Sequence, residues 1–88
     1  MGNSQHPAPG GHEDALEIVG KVIAWYQREI HAVRRSPDSS AGRLEQLIEE
    51  YTACVRDRER LRDADGEEAA RLGGLYAARL KDLESAGS

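Results

Sequence analysis

Three arginines interrupt the apolar stripes of otherwise regular helical segments. Arg58 and Arg62 fall within the stripe predicted for a second helix, and Arg79 falls within that of a third. A guanidinium in such a position extends to solvent, pairs with a carboxylate or binds an anion. Folding the chain back about residue 38 brings Arg58 level with Glu17 and Arg62 level with Asp14. Ion pairs to these carboxylates are the structural interpretation, and contacts to an anionic ligand or a protein carboxylate are the functional one.

Few other residues favour catalysis or metal binding. Cys54 is the single cysteine, which excludes an internal disulfide and a metal site built from thiolates alone. It falls on an apolar stripe and is expected to be a small buried hydrophobe. His31 lies on a polar helix face with no obvious Ser, Cys or second His beside it. The run Asp63–Gly66 fails as a calcium loop, because Leu61 and Leu72 would occupy the first and twelfth ligand positions. We predict no enzymatic activity, no cofactor and no metal.

A second group of arginines raises the alternative of a nucleic-acid-binding regulator. Arg56 and Arg60 share one outer helix face, since they are four residues apart, and Arg34 and Arg35 would add to them. Acidic residues interrupt this run, and no aromatic residue is interleaved for base stacking. The chain carries a formal net charge of −4. Nucleic-acid binding is therefore the disfavoured alternative.

The first predicted helix, between Glu13 and Arg35, carries an unbroken heptad ladder, the pattern by which one helix packs on another in coiled coils and bundles. The ladder comprises Leu16, Val19, Ile23, Tyr26, Ile30 and Val33. Ile18, Val22 and Trp25 flank the ladder, so the apolar arc covers about half of the circumference. One neighbouring helix cannot cover such an arc. We expect this helix to contact two helices of its own chain, or one of its own and one of a partner.

A partner surface is predicted on that flank. Trp25 sits at the margin of the arc, where a tryptophan is either a lid over a small core or an interface anchor. The predicted interface residues are Ile18, Val22 and Trp25.

Two further helices follow. Ser36-Pro37 ends the first helix, because proline disfavours helical geometry in the residue before it. The second helix is predicted from Ala41 to Asp63, and the short connection forces an antiparallel hairpin. A third helix is predicted over residues 67–84, and one uninterrupted second helix is the alternative. The apolar arc of the third helix comprises Leu72, Leu75, Tyr76, Leu80 and Leu83.

The start of the third helix has its own signals. Gly66 is suited to a left-handed turn that ends the second helix, and Asp65 and Glu68 have the spacing of a capping box. Gly73 and Gly74 are expected on the polar side of the third helix, where they make it weak, and a close approach of another backbone is the alternative.

These elements predict one all-α domain, an antiparallel three-helix bundle formed by a helical hairpin plus a third helix. Its limits are a disordered tail over residues 1–12, the bundle over 13–85 and a frayed end over 86–88. A domain of 88 residues buries only roughly 60–65% of its unfolded surface, so we expect it to self-associate as a homodimer.

No apolar run approaches the roughly 18 residues of a membrane span, and no secretory signal precedes the tail, so a cytoplasmic protein is expected.

The favoured function is a small helical regulator or adaptor that acts by protein–protein contacts. Two alternatives remain open. One is the nucleic-acid-binding regulator, and the other is a ligand-binding or enzymatic helical dimer that uses Arg58, Arg62 and Arg79.

Overall fold

The computed structural model describes residues 12–36 and 41–86. Within these ranges the chain forms three α-helices and no strand: α1 (His12–Arg35), α2 (Ala41–Asp63) and α3 (Gly66–Ala86). The predicted all-α bundle of a hairpin plus a third helix is confirmed. Ala64 and Asp65 separate α2 from α3, so the alternative of one uninterrupted second helix is wrong. None of the three helices, over the ranges described, has the length and apolarity needed to cross a lipid bilayer.

The first helix begins one residue earlier than predicted, and the third helix begins one residue earlier and ends two residues later. His12 was assigned to the tail but is the first residue of α1, and its Nε2 donates a hydrogen bond to the backbone oxygen of Ala64 at 2.6 Å. This bond ties the start of α1 to the end of α2, where backbone carbonyls lack helical partners. Ala86, expected to fray, is the last residue of α3. The remainder of the predicted tail and frayed end, residues 1–11 and 87–88, and the connection 37–40 lie outside the described residues.

Asp65 begins α3 as its N-cap. Its Oδ1 accepts a hydrogen bond from the backbone N–H of Glu68 at 2.8 Å, which is one half of the predicted capping box. Gly66 is the first residue of α3 and does not adopt the left-handed backbone predicted for it. The aspartate cap, and not the glycine, therefore marks this boundary.

The core of the bundle forms around α1, which packs against both other helices, while α2 and α3 approach each other much less closely. Both contacts of α1 are within its own chain, so they cover the wide apolar arc without a second copy. This is the first of the two arrangements that the width of the arc predicts. The buried residues are Ala15, Val19, Val22, Ile23, Tyr26 and Ile30 of α1, Leu47, Cys54 and Leu61 of α2, and Ala69, Leu72, Gly73 and Tyr76 of α3.

The contacts between helices fix an up-down-up arrangement. Tyr26 bonds to Glu50 and His12 to Ala64, which matches a chain folded back about residue 38. Tyr76 bonds to Asp57, so α3 returns antiparallel to α2. The backbone register of the hairpin is therefore as the sequence predicts.

Two predictions for the faces of α3 are wrong. Gly73 is buried against α1, and a Cβ atom at this position would lie 3.2 Å from the Cβ of Ala15. Gly73 therefore permits a close approach of α1 and α3, whereas Gly74 has open space around it. Leu75 was assigned to the apolar arc but is 56% exposed.

Candidate functional site

Arg62 does not reach the carboxylate predicted to pair with it. Its Nη1 lies 3.9 Å from Oε1 of Glu59, one turn earlier on α2, and its side chain is 62% exposed. The predicted ion pair to Asp14 is wrong. Arg62 contacts Glu59 of its own helix instead, and a pair within one helix fixes fewer side-chain torsions than a pair between two helices. An exposed pair of this kind contributes little to stability.

Arg58 does not form its predicted ion pair either. Glu17 lies 4.0 Å from the Nζ of Lys21, and no contact joins it to Arg58. Arg58 is half-buried, and its Nε atom is buried without a hydrogen-bond partner. The side chain therefore follows the apolar surface of the helix, as the alkyl stem of an arginine often does.

Arg79 contacts the core at a different place. Its Nη1 donates to the Sγ of Cys54 at 3.7 Å, and its guanidinium carbon lies 5.0 Å from the centroid of the Tyr76 ring. Cys54 and Arg62 are eight residues apart, which is about two helical turns along α2. Arg58 lies midway between Cys54 and Arg62 along α2, so the candidate anion contacts Arg58, Arg62 and Arg79 follow one another along the bundle at intervals of about one helical turn.

Arg79 belongs instead to a group of polar side chains between the helices, which we name the polar layer. The phenol of Tyr26 donates to Glu50 Oε1 at 2.8 Å, and the phenol of Tyr76 donates to Asp57 Oδ2. These bonds join α1 to α2 and α2 to α3. The polar layer comprises Tyr26, Glu50, Cys54, Asp57, Tyr76 and Arg79.

The electrostatics of the polar layer favour its uncharged phenols and thiol. Burial and the hydrogen bond to Glu50 raise the pKa of Tyr26 to about 12. Burial and the hydrogen bond to Asp57 also raise the pKa of Tyr76, and burial raises the pKa of the Cys54 thiol. The Cys54 residue is fully buried, so its thiol is inaccessible to a substrate. These groups are suited to holding the helices in register and not to nucleophilic catalysis.

The predicted partner surface on α1 is only partly accessible. Val22 is fully buried inside the bundle, so its assignment to a partner interface is wrong in this structure. Trp25 is half-buried and packs edge-on against Tyr26, with ring centroids 5.1 Å apart. Ile18 is half-buried and borders a groove between α1 and α3, which also includes Gly73. Ile18 and Trp25 remain as the accessible part of this surface.

The most distinctive surface is a basic patch at the carboxyl end of α1. We define the basic patch as Arg28, His31, Arg34 and Arg35. All four residues are exposed, and none of the three arginines forms an ion pair within the described parts of the chain. Glu29, the acidic residue within this stretch, lies 3.5 Å from Arg43 of α2. The carboxylate within this stretch therefore pairs with α2 and not with an arginine of the patch.

Two shallow depressions adjoin the basic patch. One, of about 480 Å³, lies on the outer surface of α1 beside Ala24, Arg28, His31 and Arg35. The other, of about 500 Å³, lies between α1 and α2. It is lined by Gln27, Ile30, His31, Arg34, Ile48, Tyr51 and Thr52. Neither depression is lined by an acidic residue from the ranges that the structure describes.

The chain was compared with models of protein families, with curated proteins and with solved structures. None of these comparisons gives a match. The site must therefore be interpreted from its own geometry. Within the described ranges, His, Cys, Asp and Glu form no group of three or more that is arranged to hold a metal ion.

Sequence reasoning recognised only half of the basic patch. Arg34 and Arg35 were assigned as favourable charges at the helix end and as part of a nucleic-acid surface. Arg28 and His31 were not joined to them. The signal was present in the spacing, since positions 28, 31 and 35 are separated by three and four residues and share one face of α1.

Proposed function

We propose that the protein is a small cytoplasmic regulator or adaptor that binds an acidic segment of another protein at the basic patch. The observation that carries this proposal is a cluster of three arginines on an acidic chain that, among the described residues, form no ion pair and have no acidic residue in the adjoining depressions. Arginine guanidinium groups match carboxylates in geometry and form two parallel hydrogen bonds with them. A segment rich in Asp and Glu would supply the charges that the patch lacks.

The energetics of the free patch support this interpretation. Arg28 and Arg35 line the same depression with His31, so their positive charges are held near one another. Like charges on one helix face oppose each other, and the negative carboxyl end of the helix dipole offsets only part of that repulsion. Binding of an anionic segment relieves it and also raises the rate of association by electrostatic steering.

A protein ligand is favoured over a nucleic acid for two reasons. The isoelectric point of the chain is about 5.3, far below that of a typical nucleic-acid-binding domain. Among the described residues, the outer depression is lined by no phenylalanine, tyrosine or tryptophan that bases could stack on, and Tyr51 belongs to the depression between α1 and α2. Arg56 and Arg60, which the nucleic-acid alternative requires, belong to the middle and end of α2 and are not part of the patch.

Site-specific photocrosslinking in cells that make the protein naturally tests the proposal. A photoreactive phenylalanine analogue would replace Ala24, which lines the outer depression beside the patch. A second variant would carry it at Trp25 on the earlier predicted surface. A control variant would carry it at Ala78 on the exposed side of α3. We expect a discrete crosslinked protein from position 24 and none from position 78. Crosslinking of nucleic acid alone at position 24, shown by nuclease sensitivity, would refute the proposal.

Charge variants provide the matched comparison. Arg28→Gln combined with Arg35→Gln removes two charges from the patch, and we expect the crosslinked protein to disappear. Arg71→Gln combined with Lys81→Gln removes two charges from exposed positions of α3 and should leave crosslinking unchanged. Equal crosslinking of both double variants would show that the patch is not the binding surface.

A further inference from the structure

One side of α2 carries an apolar strip that no helix of the chain covers fully. Ile48 is 36% exposed, Val55 is half-buried, and Thr52 lies exposed between them. Their spacing of four and three residues places them on one line along the helix. This line is about 100° around α2 from the buried residues Leu47 and Cys54. Val55 also packs against the core, and Ile48 and Thr52 line the depression between α1 and α2. The strip therefore lies on the side of α2 that borders α1, where it is only partly covered.

Exposed charges border this strip in a mirrored order. Glu45 and Glu49 precede the centre of the strip, and Arg56 and Arg60 follow it. The two glutamates are spaced four residues apart, and so are the two arginines. At 100° per residue all four side chains lie on the same side of the strip. None of them forms an ion pair within the ranges that the structure describes. The two carboxylates and the two guanidiniums are equally distant in sequence from a point between Thr52 and residue 53.

We propose that this face binds a second copy of the chain, with the two α2 helices antiparallel about a two-fold axis at Thr52. In an antiparallel pair, positions on the same flank of the contact face each other. Glu49 then lies opposite Arg56 of the second copy, and Glu45 lies opposite Arg60 of the second copy. By symmetry each of these pairs forms twice. Ile48 packs toward Val55 of the second copy.

The charge order selects this occupant and this orientation. A parallel pair of α2 helices would place this flank of each helix opposite the other flank of its partner, so these carboxylates and guanidiniums would not meet. The antiparallel register also brings Glu45 near Glu59 of the second copy, but Glu59 already has Arg62 of its own helix at 3.9 Å. The dimer uses α2 and not α1, and it leaves Arg28 and Arg35 on the outer surface of α1 exposed.

Charge reversal and sedimentation equilibrium test the dimer. We expect the wild type to be dimeric at micromolar concentrations. Glu49→Arg alone and Arg56→Glu alone each create two repulsive contacts, and each should weaken dimerisation at least tenfold. Lys81→Glu, an exposed charge reversal on α3, is the control and should leave dimerisation within twofold of the wild type.

The combined variant decides the orientation. Glu49→Arg together with Arg56→Glu restores opposite charges across an antiparallel pair, so we expect dimerisation to return to within threefold of the wild type. In a parallel pair the combined variant would dimerise no more tightly than the single variants. Helical circular dichroism confirms that each variant is folded. A monomeric wild type at millimolar concentration, single reversals without effect, or a combined variant as weak as the single ones would each overturn the proposal.

Discussion

At the scale of single residues, Arg58 is the clearest case of a polar atom in an apolar setting. Its Nε is buried without a partner, although its position in the hairpin register is level with Glu17 as predicted. The sequence gives the level of a residue along a helix, because the helical repeat is constant. It does not give the direction of a long side chain, which depends on neighbours from other helices.

The unpaired Nε predicts the effect of replacing Arg58. An unsatisfied buried donor costs about 1–3 kcal/mol, so we expect Arg58→Leu to raise the free energy of unfolding by about 1 kcal/mol. Arg62→Leu, at an exposed position on the same helix, should change it by less than about 0.5 kcal/mol. Urea unfolding followed by circular dichroism provides both values. A loss of stability in Arg58→Leu would mean that the guanidinium makes a stabilising contact.

The Tyr26 phenol predicts a dependence of stability on alkaline pH. Its pKa is about 12 in the folded chain against an ordinary value of 10.0, so the folded state keeps a proton that the unfolded state loses. The resulting stabilisation is complete below pH 10 and is lost as the pH rises from about 10 to about 12. Tyr26→Phe removes this contribution while it keeps the ring. In urea titrations between pH 8 and 11, the wild type should lose stability more steeply than the variant, and parallel curves would contradict the assignment.

At the scale of helices, the bounds and the packing faces differ in how well sequence predicts them. The limits of α2 are as predicted, because an apolar repeat lies between a proline-containing connection and an aspartate cap. The faces of α3 were predicted less well. Gly73 was assigned to the polar side because the apolar arc was drawn through large residues only. Packing against Ala15 requires the absence of a side chain, which an apolar pattern cannot show.

The close approach of α1 and α3 predicts opposite responses from the two adjacent glycines. Gly74→Ala meets open space and should stabilise the protein by about 0.5–1 kcal/mol, the usual gain of alanine over glycine within a helix. The leucine side chain of Gly73→Leu must displace Ala15, so this substitution should destabilise the protein by about 1–3 kcal/mol. Thermal unfolding of the two variants gives the comparison. Equal effects would show that the helices do not meet at Gly73.

At the scale of the whole molecule, the fold class follows from the sequence and the working surfaces do not. Three periodic segments with caps between them specify a bundle, since each apolar stripe must be covered by another helix. The basic patch depends on which charges are left unpaired after folding. Arg43 comes from α2 to pair with Glu29, and in the part of the chain that the structure describes the neighbouring arginines of α1 form no ion pair. The polar layer likewise joins residues from three helices.

The distribution of charge gives the molecule two separate surfaces. Within the described ranges, the arginines of the basic patch on α1 form no ion pair, so the patch is suited to a different, acidic molecule. The side of α2 with the apolar strip carries both signs in mirrored order, so it is suited to a second copy. These surfaces share no charged residue, and each can be altered by substitution without removing a charge from the other.

The measurement that tests the central claim most directly is an NMR titration of the isotope-labelled protein with the partner identified by crosslinking. We predict that the largest amide shifts fall within residues 24–35 and that added salt weakens the binding. Arg28→Gln combined with Arg35→Gln should abolish these shifts without altering the remaining spectrum. Shifts centred on Ile18 and Trp25, or an affinity that does not depend on salt, would contradict the assignment of the basic patch as the binding surface.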